Sequence, residues 1–392
     1  MWNARSANSA AVVVALLAIG VDIGLARLGF GLLLPAIRRD LGGGFAVYGI
    51  IGAAHLGGYL AGTIAAPLVL RDRRRLPRIT AFAHIVVGAS LALSAAAADP
   101  IGLTIARAIL GAASGVGIAS AITDALERVP AARRGAASAL AWSGIGIGLI
   151  VSAPAGVWAL GHTGTWRVAS LLAGLPAGAI AVLALRVPAQ ATASGASAAS
   201  SFTWRTLLGS SNVFFVASYG AYGAAYIAYA TFAVAAFAVR GVAAVAIGAV
   251  WMTFGIAAVL GALAIGRVLA GRRHRWSMVL PLAMGAVGSL MSALPSVTFA
   301  VAGALCIGIG LAAAPAVASS FARDRSDAAS YARAFAGVTT VFGVGQITGP
   351  IVAGAAADAL GLDAVPLFAA VIFGLGTLCA VIDAQQRGLA AV

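Results

Sequence analysis

The chain has 392 residues, of which 61% are hydrophobic and only 9% are charged, and its mean hydropathy is +1.01. Soluble domains carry about 25% charged residues, so this composition excludes an aqueous surface and predicts an integral membrane protein. The formal net charge of +14 does not indicate nucleic-acid binding, because the basic residues, all of them arginine, lie almost entirely in short segments between apolar runs.

Twelve apolar segments of this chain are long enough to cross a bilayer as α-helices, which takes about 20 residues each. In chain order they occupy residues 10–34, 45–70, 79–98, 101–122, 136–160, 168–185, 213–238, 242–265, 276–294, 297–321, 334–357 and 364–382. The longest interruption contains an Ala/Ser-rich stretch, residues 189–201, that is typical of a flexible linker. We therefore predict an all-α membrane protein with 12 transmembrane helices: an N-terminal six-helix bundle (1–186), a cytoplasmic linker (187–212) and a C-terminal six-helix bundle (213–392).

The distribution of arginine predicts the orientation. If the N-terminus is cytoplasmic, nineteen arginines lie in inner segments and four in outer loops. Such an excess on one side is the usual mark of the cytoplasmic face. We expect both termini and the linker in the cytoplasm, and the chain in the inner (plasma) membrane of a bacterium.

Two arginines lie inside apolar spans, Arg27 in the first and Arg107 in the fourth. A charge at bilayer depth is unfavourable and usually functional. At 1.5 Å of rise per residue, each lies about 7 Å to the outer side of its span's centre. By the same measure His55, in the second span, lies about 4 Å outside the midpoint, and Asp22 lies near the midplane.

Glycine–proline runs occupy corresponding positions in the two halves. The fifth span contains Gly144 and Gly148 ahead of Pro154, and the eleventh contains Gly345 ahead of Pro350. This correspondence indicates an internal repeat. Repeated halves with a binding site between them near the midplane are the plan of a secondary transporter.

Basic loops follow the second and eighth spans, at residues 71–75 and 266–275. Together with an Arg-x-x-x-Gly-x-x-x-Gly pattern that begins at Arg107, they resemble signature motifs of the major facilitator superfamily, and the resemblance extends over essentially the whole chain. It implies two pseudo-symmetric six-helix bundles that work by alternating access. The loop residues to which it gives a gating role are Asp72, Arg73, Arg75, Arg267 and Arg272.

Within that superfamily the chain is similar to the YbfB/YjiJ-type transporters. The segments 24–30, 52–62 and 225–232 resemble the signatures of their first, second and seventh spans, with His55 at a position where Asn is common. The resemblance implies that spans 1, 2 and 4 are neighbours and that spans 1 and 4 line the central cavity.

Four ionisable side chains are then expected in one cavity: Asp22, Arg27, His55 and Arg107. Guanidinium groups match the geometry of carboxylate and phosphate, so we expect the two arginines to clamp an anionic group. In the alternative, Asp22 neutralises one arginine and neither has a substrate role. Asp22 and Arg27 lie about 140° apart on an α-helix, which disfavours pairing within the span. Asp22 or His55 could carry a coupled proton, whereas a uniporter needs neither.

The seventh span carries tyrosines at spacings of 3, 4 and 3, from Tyr219 to Tyr229, which places four phenols on one helical face. We expect this face to meet the cavity, with simple packing as the alternative. His84 is expected to be structural. The residues predicted to contact substrate are Arg27, His55, Tyr59, Arg107, Tyr222, Tyr226, Tyr229 and Gln346, and those predicted to couple protons are Asp22 and His55.

Function follows from these features. With no nucleophile–base pair, phosphate-binding loop or metal-ligand spacing in the sequence, we expect neither an enzyme nor a resident cofactor or metal. We predict a monomeric secondary active transporter that moves a small anionic organic solute across the inner membrane by alternating access, with proton coupling left open. The alternatives are a proton-antiport exporter of drugs or metabolites, and a membrane sensor on a transporter scaffold.

Overall fold

The computed structural model describes residues 4–130, 133–189, 212–265, 276–324 and 331–389. Its described elements are all helices. Among these described residues, 11 helices are long and apolar enough to cross a membrane, and a further apolar helix, Val279–Ala293, is shorter. The predicted all-α fold of twelve apolar helices is confirmed.

We number the helices α1 to α12 in chain order. The first six are α1 (Ala4–Ile19, Gly20–Leu28 and Gly29–Leu41 in succession), α2 (Phe45–Val69), α3 (Leu76–Ala96), α4 (Pro100–Arg128), α5 (Arg134–Trp142 and Gly144–Thr163) and α6 (Trp166–Arg186). The others are α7 (Val213–Val239), α8 (Ala244–Leu260 and Gly261–Ile265), α9 (Val279–Ala293), α10 (Val297–Asp324), α11 (Tyr331–Leu360) and α12 (Ala364–Leu389). Most of the predicted linker lies outside the described residues, so the domain boundaries stay a prediction.

The middle segment of α1, Gly20–Leu28, is a π-helical turn. At its end the N–H of Gly29 donates to the carbonyl of Gly24, five residues back instead of four. Such wide turns are rare and often mark functional sites. This one contains both Asp22 and Arg27, so the α-helical separation expected for these two residues does not apply here.

Glycines allow α1 to lie directly against α5. A Cβ added at Gly148 would come within 2.1 Å of the Gly20 carbonyl oxygen, and one at Gly144 within 2.1 Å of the Leu16 carbonyl oxygen. Only glycine fits such contacts, because a real side chain would overlap the backbone of the neighbouring helix. The wide turn of α1 is therefore held against a smooth face of α5.

The same close packing of two helices at glycines, which we call a glycine seam, recurs between α7 and α11. A Cβ at Gly345 would come within 2.1 Å of the Gly220 carbonyl oxygen, and one at Gly349 within 2.3 Å of the Ala224 carbonyl oxygen. The glycine–proline runs of spans 5 and 11 thus do the same work, each against the first helix of its own half. This equivalence agrees with the expected internal repeat.

The two halves meet closely at the end of the molecule predicted to be outer. A Cβ at Gly31 of α1 would come within 2.1 Å of the Ala230 carbonyl oxygen of α7. Beside this contact, the Asp358 carboxylate of α11 accepts hydrogen bonds from the N–H groups of Phe45 and Ala46 at the start of α2, at 2.6 and 2.9 Å. The helix ends are packed together here, so this end is closed.

Candidate functional site

Arg27 lies where the two halves meet. Its guanidinium carbon lies 4.2 Å from the ring centroid of Tyr59 on α2. The Tyr226 hydroxyl, on α7, interacts with the same guanidinium group. Gln346 of α11 donates its side-chain N–H to that hydroxyl. Arg27 therefore contacts the N-terminal half through Tyr59 and the C-terminal half through Tyr226, as a site between the halves requires.

Arg107 reaches the same turn of α1 from α4. Its Nη1 donates a hydrogen bond of 2.7 Å to the Ala26 carbonyl oxygen, which lies within the wide turn. Its guanidinium carbon lies 4.7 Å from the ring centroid of Phe30, also on α1. The arginines are only 7% and 4% exposed, so both charges are buried. Arg27 and Arg107 are thus held by one segment of α1.

Within the described part of the chain, neither buried arginine forms an ion pair with a carboxylate. Nε and Nη2 of Arg27 and Nε of Arg107 also have no hydrogen-bond partner among the described residues. Buried donors left unpaired destabilise a protein by about 1–3 kcal/mol each, and charged ones by more. Unpaired charged donors in one place are what a site for an anion would present.

His55 belongs to the same group. Its imidazole is fully buried, and both ring nitrogens lack a partner among the described residues. Arg27 and Arg107 both act on it electrostatically. Its position follows from close packing of α2 on α4, where a Cβ at Gly111 would come within 1.9 Å of the His55 carbonyl oxygen. A protonated His55 would be a third cation beside two others, which disfavours a proton there; its substrate and proton roles both stay predictions.

Asp22 is not part of this group. Its Oδ2 lies 3.5 Å from Nε2 of His84 on α3, and both side chains are fully buried. The alternative in which Asp22 pairs with an arginine is therefore not what the structure shows. The sequence predicted only a structural role for His84 and did not identify it as the partner of Asp22. Counted from the observed ends of α3, it lies only about 3 Å from the centre of the helix, close to the depth of Asp22.

The tyrosine face of α7 divides between the site and the interior of the C-terminal half. Tyr226 contacts Arg27, and its ring stacks on that of Tyr222 at 5.7 Å. Tyr222 also packs edge-on against Phe373 of α12. The Tyr229 hydroxyl instead hydrogen-bonds Ser292, 2.9 Å away. Tyr226 and Gln346 are therefore brought to Arg27, whereas Tyr229 faces its own half.

The basic loop after α2 is tied to its own half. Arg75 pairs with Asp72 at 3.1 Å, and Arg73 pairs with Glu127 near the end of α4 at 3.2 Å. The other two residues predicted to act in gating, Arg267 and Arg272, lie outside the described residues. The gating role stays a prediction for all of them.

Solved structures of similar fold include transporters. The chain superposes with a TM-score of 0.76 on a point mutant of the nucleoside transporter NupG, at 15% identity over 96% of this chain and 99% of that one. A bacterial homologue of the human lysosomal transporter Spinster gives a TM-score of 0.74 in an inward-facing, unoccupied conformation, at 14% identity over 97% and 98% of the two chains. The same protein in an inward-facing, occupied conformation gives 0.74 at 15% identity, with 98% of each chain covered. The expected alternating access fits these neighbours.

No individually curated protein sequence matches the chain. The family model described as "Uncharacterised MFS-type transporter YbfB" matches residues 19–383. That match covers nearly the whole chain, including the candidate site and both glycine seams. The resemblance inferred from the sequence motifs is therefore confirmed, and the chain belongs to this family of multi-pass major facilitator transporters, not to an enzyme family.

Proposed function

We propose that the protein carries a small organic anion across the bacterial plasma membrane, with Arg27 and Arg107 as the groups that bind it. The observation that carries the proposal is a pair of buried guanidinium groups that have unpaired donors and no carboxylate partner among the described residues. A buried charge is destabilising unless it is paired. An anionic substrate would supply the missing partner during the part of the cycle in which it is bound.

The surroundings of the arginines support an organic substrate. Arg27 lies over the ring of Tyr59 and Arg107 over the ring of Phe30. Aromatic rings attract the faces of guanidinium groups and leave their N–H edges free for a carboxylate or phosphate. The same rings, with Tyr226, would contact the apolar body of the ligand.

Contacts to both halves give the site a way to respond to alternating access. Arg27 interacts with Tyr59 of the N-terminal half and Tyr226 of the C-terminal half. Among the described residues, the side-chain hydrogen bond and the ring contact of Arg107 are both to its own half, at Ala26 and Phe30 of α1. When the halves rotate, the contacts of Arg27 with Tyr226 change while those of Arg107 persist. We propose that Arg107 holds the anion throughout and Arg27 reports its presence to the C-terminal half.

The orientation and the alternatives can be weighed on the same charges. The arginine excess on one side supports cytoplasmic termini in a bacterial inner membrane, and a monomer suffices for the site. An exporter of hydrophobic cations is less well supported, because its substrate would enter beside two buried cations. Proton coupling is part of the proposal and rests on Asp22.

The test is a thermal-shift screen of the purified protein with benzoate, succinate and glycerol 3-phosphate. We expect at least one of them to raise the melting temperature in a concentration-dependent way, since a ligand that binds only the folded state stabilises it. Arg27→Ala and Arg107→Ala should abolish the shift. Arg39→Ala is the matched control, because it removes an exposed arginine of α1 away from the site.

The outcomes separate the candidate functions. Retention of the shift in both Arg27→Ala and Arg107→Ala would exclude the clamp. Stabilisation by hydrophobic cations, with no response to any anion, would favour the exporter. An anion that passes the screen should also show saturable counterflow in proteoliposomes, which a channel would not.

A further inference from the structure

We infer that Asp22 and His84 form a proton-binding pair, separate from the anion site but linked to it through the wide turn of α1. The inference rests on the proposed transport function for its role in coupling, though not for the proton site itself. The pair joins α1 to α3 inside the N-terminal half, with Asp22 Oδ2 3.5 Å from His84 Nε2 and no exposure of either side chain.

The hydrogen bonding of His84 determines where a proton must be. Its Nδ1 lies 2.8 Å from the Thr80 carbonyl oxygen, which can only accept a hydrogen bond. Nδ1 therefore carries hydrogen. A neutral imidazole has a single N–H, so Nε2 of a neutral His84 would direct a lone pair at Asp22. Two facing acceptors repel, and one additional proton removes the conflict, either on Nε2 of His84 or on the Asp22 carboxyl.

Few other groups compete for this proton. The groups of the described chain that act on Asp22 are His84, the Ser114 hydroxyl of α4 and, more weakly, Arg27 of its own helix. α4 presents Gly117 to the imidazole, where an added Cβ would lie 3.1 Å from Cε1. α5 meets the wide turn through the glycines of its seam, which carry no charge. The pair is thus the local acid–base unit, and Arg27 is the additional charge that acts on it.

The wide turn connects the proton site to the anion site. It contains Asp22 and Arg27, and its Ala26 carbonyl accepts the hydrogen bond from Arg107. With its proton the pair is neutral overall, and the charge of Arg27 is available to a substrate. Without it, Asp22 becomes an unbalanced buried anion in the same turn and competes with the substrate for Arg27. Proton and anion should therefore bind with positive coupling and move in the same direction.

The proton site can be tested without any substrate, by ¹⁵N NMR of the purified protein labelled at its 4 histidines. His84→Gln assigns the His84 signals, and infrared spectroscopy detects a protonated carboxyl. Either a His84 imidazolium signal or an Asp22 carboxylic acid band, detected in spectra taken between about pH 5 and 8 and abolished by Asp22→Asn, supports the pair. His162→Asn is the control and should leave the signals unchanged, because the hydrogen bond that the described part of the chain gives His162 is to Trp158 of its own helix.

A different pattern would overturn the proton site. If His84 stays neutral over this range and no carboxylic acid band disappears in Asp22→Asn, the pair does not bind the proton. A His84 spectrum that is the same in Asp22→Asn and in the unmodified protein, with no carboxylic acid band lost, would have the same meaning. Both results can be obtained and interpreted whether or not the protein binds an anion.

Coupling is tested with the anion from the thermal-shift screen. We expect its affinity to fall by at least about fivefold between pH 6 and pH 8, a coupling of ordinary size. Asp22→Asn imitates the protonated carboxyl, so it should bind tightly at both pH values. Glu127→Gln, which removes a carboxylate that pairs with Arg73 in a loop, should keep the pH dependence.

The failures of the two proposals can be told apart. An anion that binds equally at both pH values, or with the same pH dependence in Asp22→Asn, overturns the coupling and leaves anion transport standing. If no probe anion binds, the proposed function and the coupling fail together, while the NMR result still decides whether the proton site exists.

Discussion

The two halves of the protein share the same helix packing and differ in the side chains that their first helices present. In each half the first helix lies against the fifth along a glycine seam, with Gly148 on Gly20 in one and Gly345 on Gly220 in the other. The N-terminal seam holds a helix with a wide turn that contains Asp22 and Arg27. The C-terminal seam holds a regular α-helix of 27 residues that presents tyrosines instead.

This difference indicates a division of labour. Charged groups in a membrane interior are destabilising and need nearby partners, which the turn of α1 and its carbonyl groups supply. Tyrosine hydroxyls need only a hydrogen bond, and α7 provides that without changing its helical geometry. We propose that the N-terminal half holds the charged groups that bind the substrate and the proton, and that the C-terminal half responds to them through Tyr226.

The largest expected effect is on the charged side of this comparison. Arg107→Ala should lower anion uptake into proteoliposomes by on the order of 100-fold, since truncating one partner of a buried, hydrogen-bonded charge pair weakens binding by about 2–5 kcal/mol. Arg107→Lys should recover only part of the activity, because it cannot reproduce a fork of N–H groups. The measurement is the initial rate of uptake of the anion found by thermal shift, with Arg39→Ala as the control. Near-normal uptake by Arg107→Ala would remove the distinction between the halves.

The glycine seams should fail alike if the scaffold is truly repeated. Gly148→Ala and Gly345→Ala each place a methyl carbon within 2.1 Å of a backbone oxygen, and overpacking of this kind destabilises by roughly 1–3 kcal/mol. Gly178→Ala in α6 meets nothing within 4 Å and is the control. Melting temperatures of the three variants in detergent give the comparison. A large decrease for one seam and none for the other would show that only one half depends on it.

The sequence predicts the helices and the grouping of the buried cations, but not the local geometry of α1. The spans follow from apolar run length, and the grouping of Arg27, His55 and Arg107 was expected from their depth together with the helix neighbours that the family resemblance implied. The wide turn was not foreseen, because a shift of helical register depends on packing against α5 and leaves no periodic mark in the sequence. The partner of Asp22 was missed for a related reason, since depth does not tell which neighbouring helix a side chain faces.

Tyr226 and Tyr229 offer a finer contrast within α7. Tyr226→Phe removes a hydroxyl that interacts with Arg27 and should lower anion affinity by about tenfold, the lower end of the effect of one hydrogen bond to a charged group. Tyr229→Phe removes only the bond to Ser292, so it should lower stability by about 1 kcal/mol and leave anion affinity unchanged. Thermal-shift titrations report both quantities. Equal decreases in affinity would mean that the whole tyrosine face meets the substrate.

The smallest effect concerns how the halves are held together at the closed end. The Asp358 carboxylate of α11 caps the first turn of α2, where Phe45 and Ala46 donate to it, and such a cap stabilises by about 0.5–2 kcal/mol. Asp358→Ala should therefore shift the population toward a state open at this end by several-fold, while Asp358→Asn should do less because it retains one acceptor oxygen.

Spin labels at Ile101 and Val245, exposed residues near the same end of α4 and α8, would report the change by pulsed electron resonance after Cys306 and Cys379 are replaced by Ser. Unchanged distance distributions in Asp358→Ala would show that the glycine contact of Gly31 with Ala230 closes this end without help from the carboxylate.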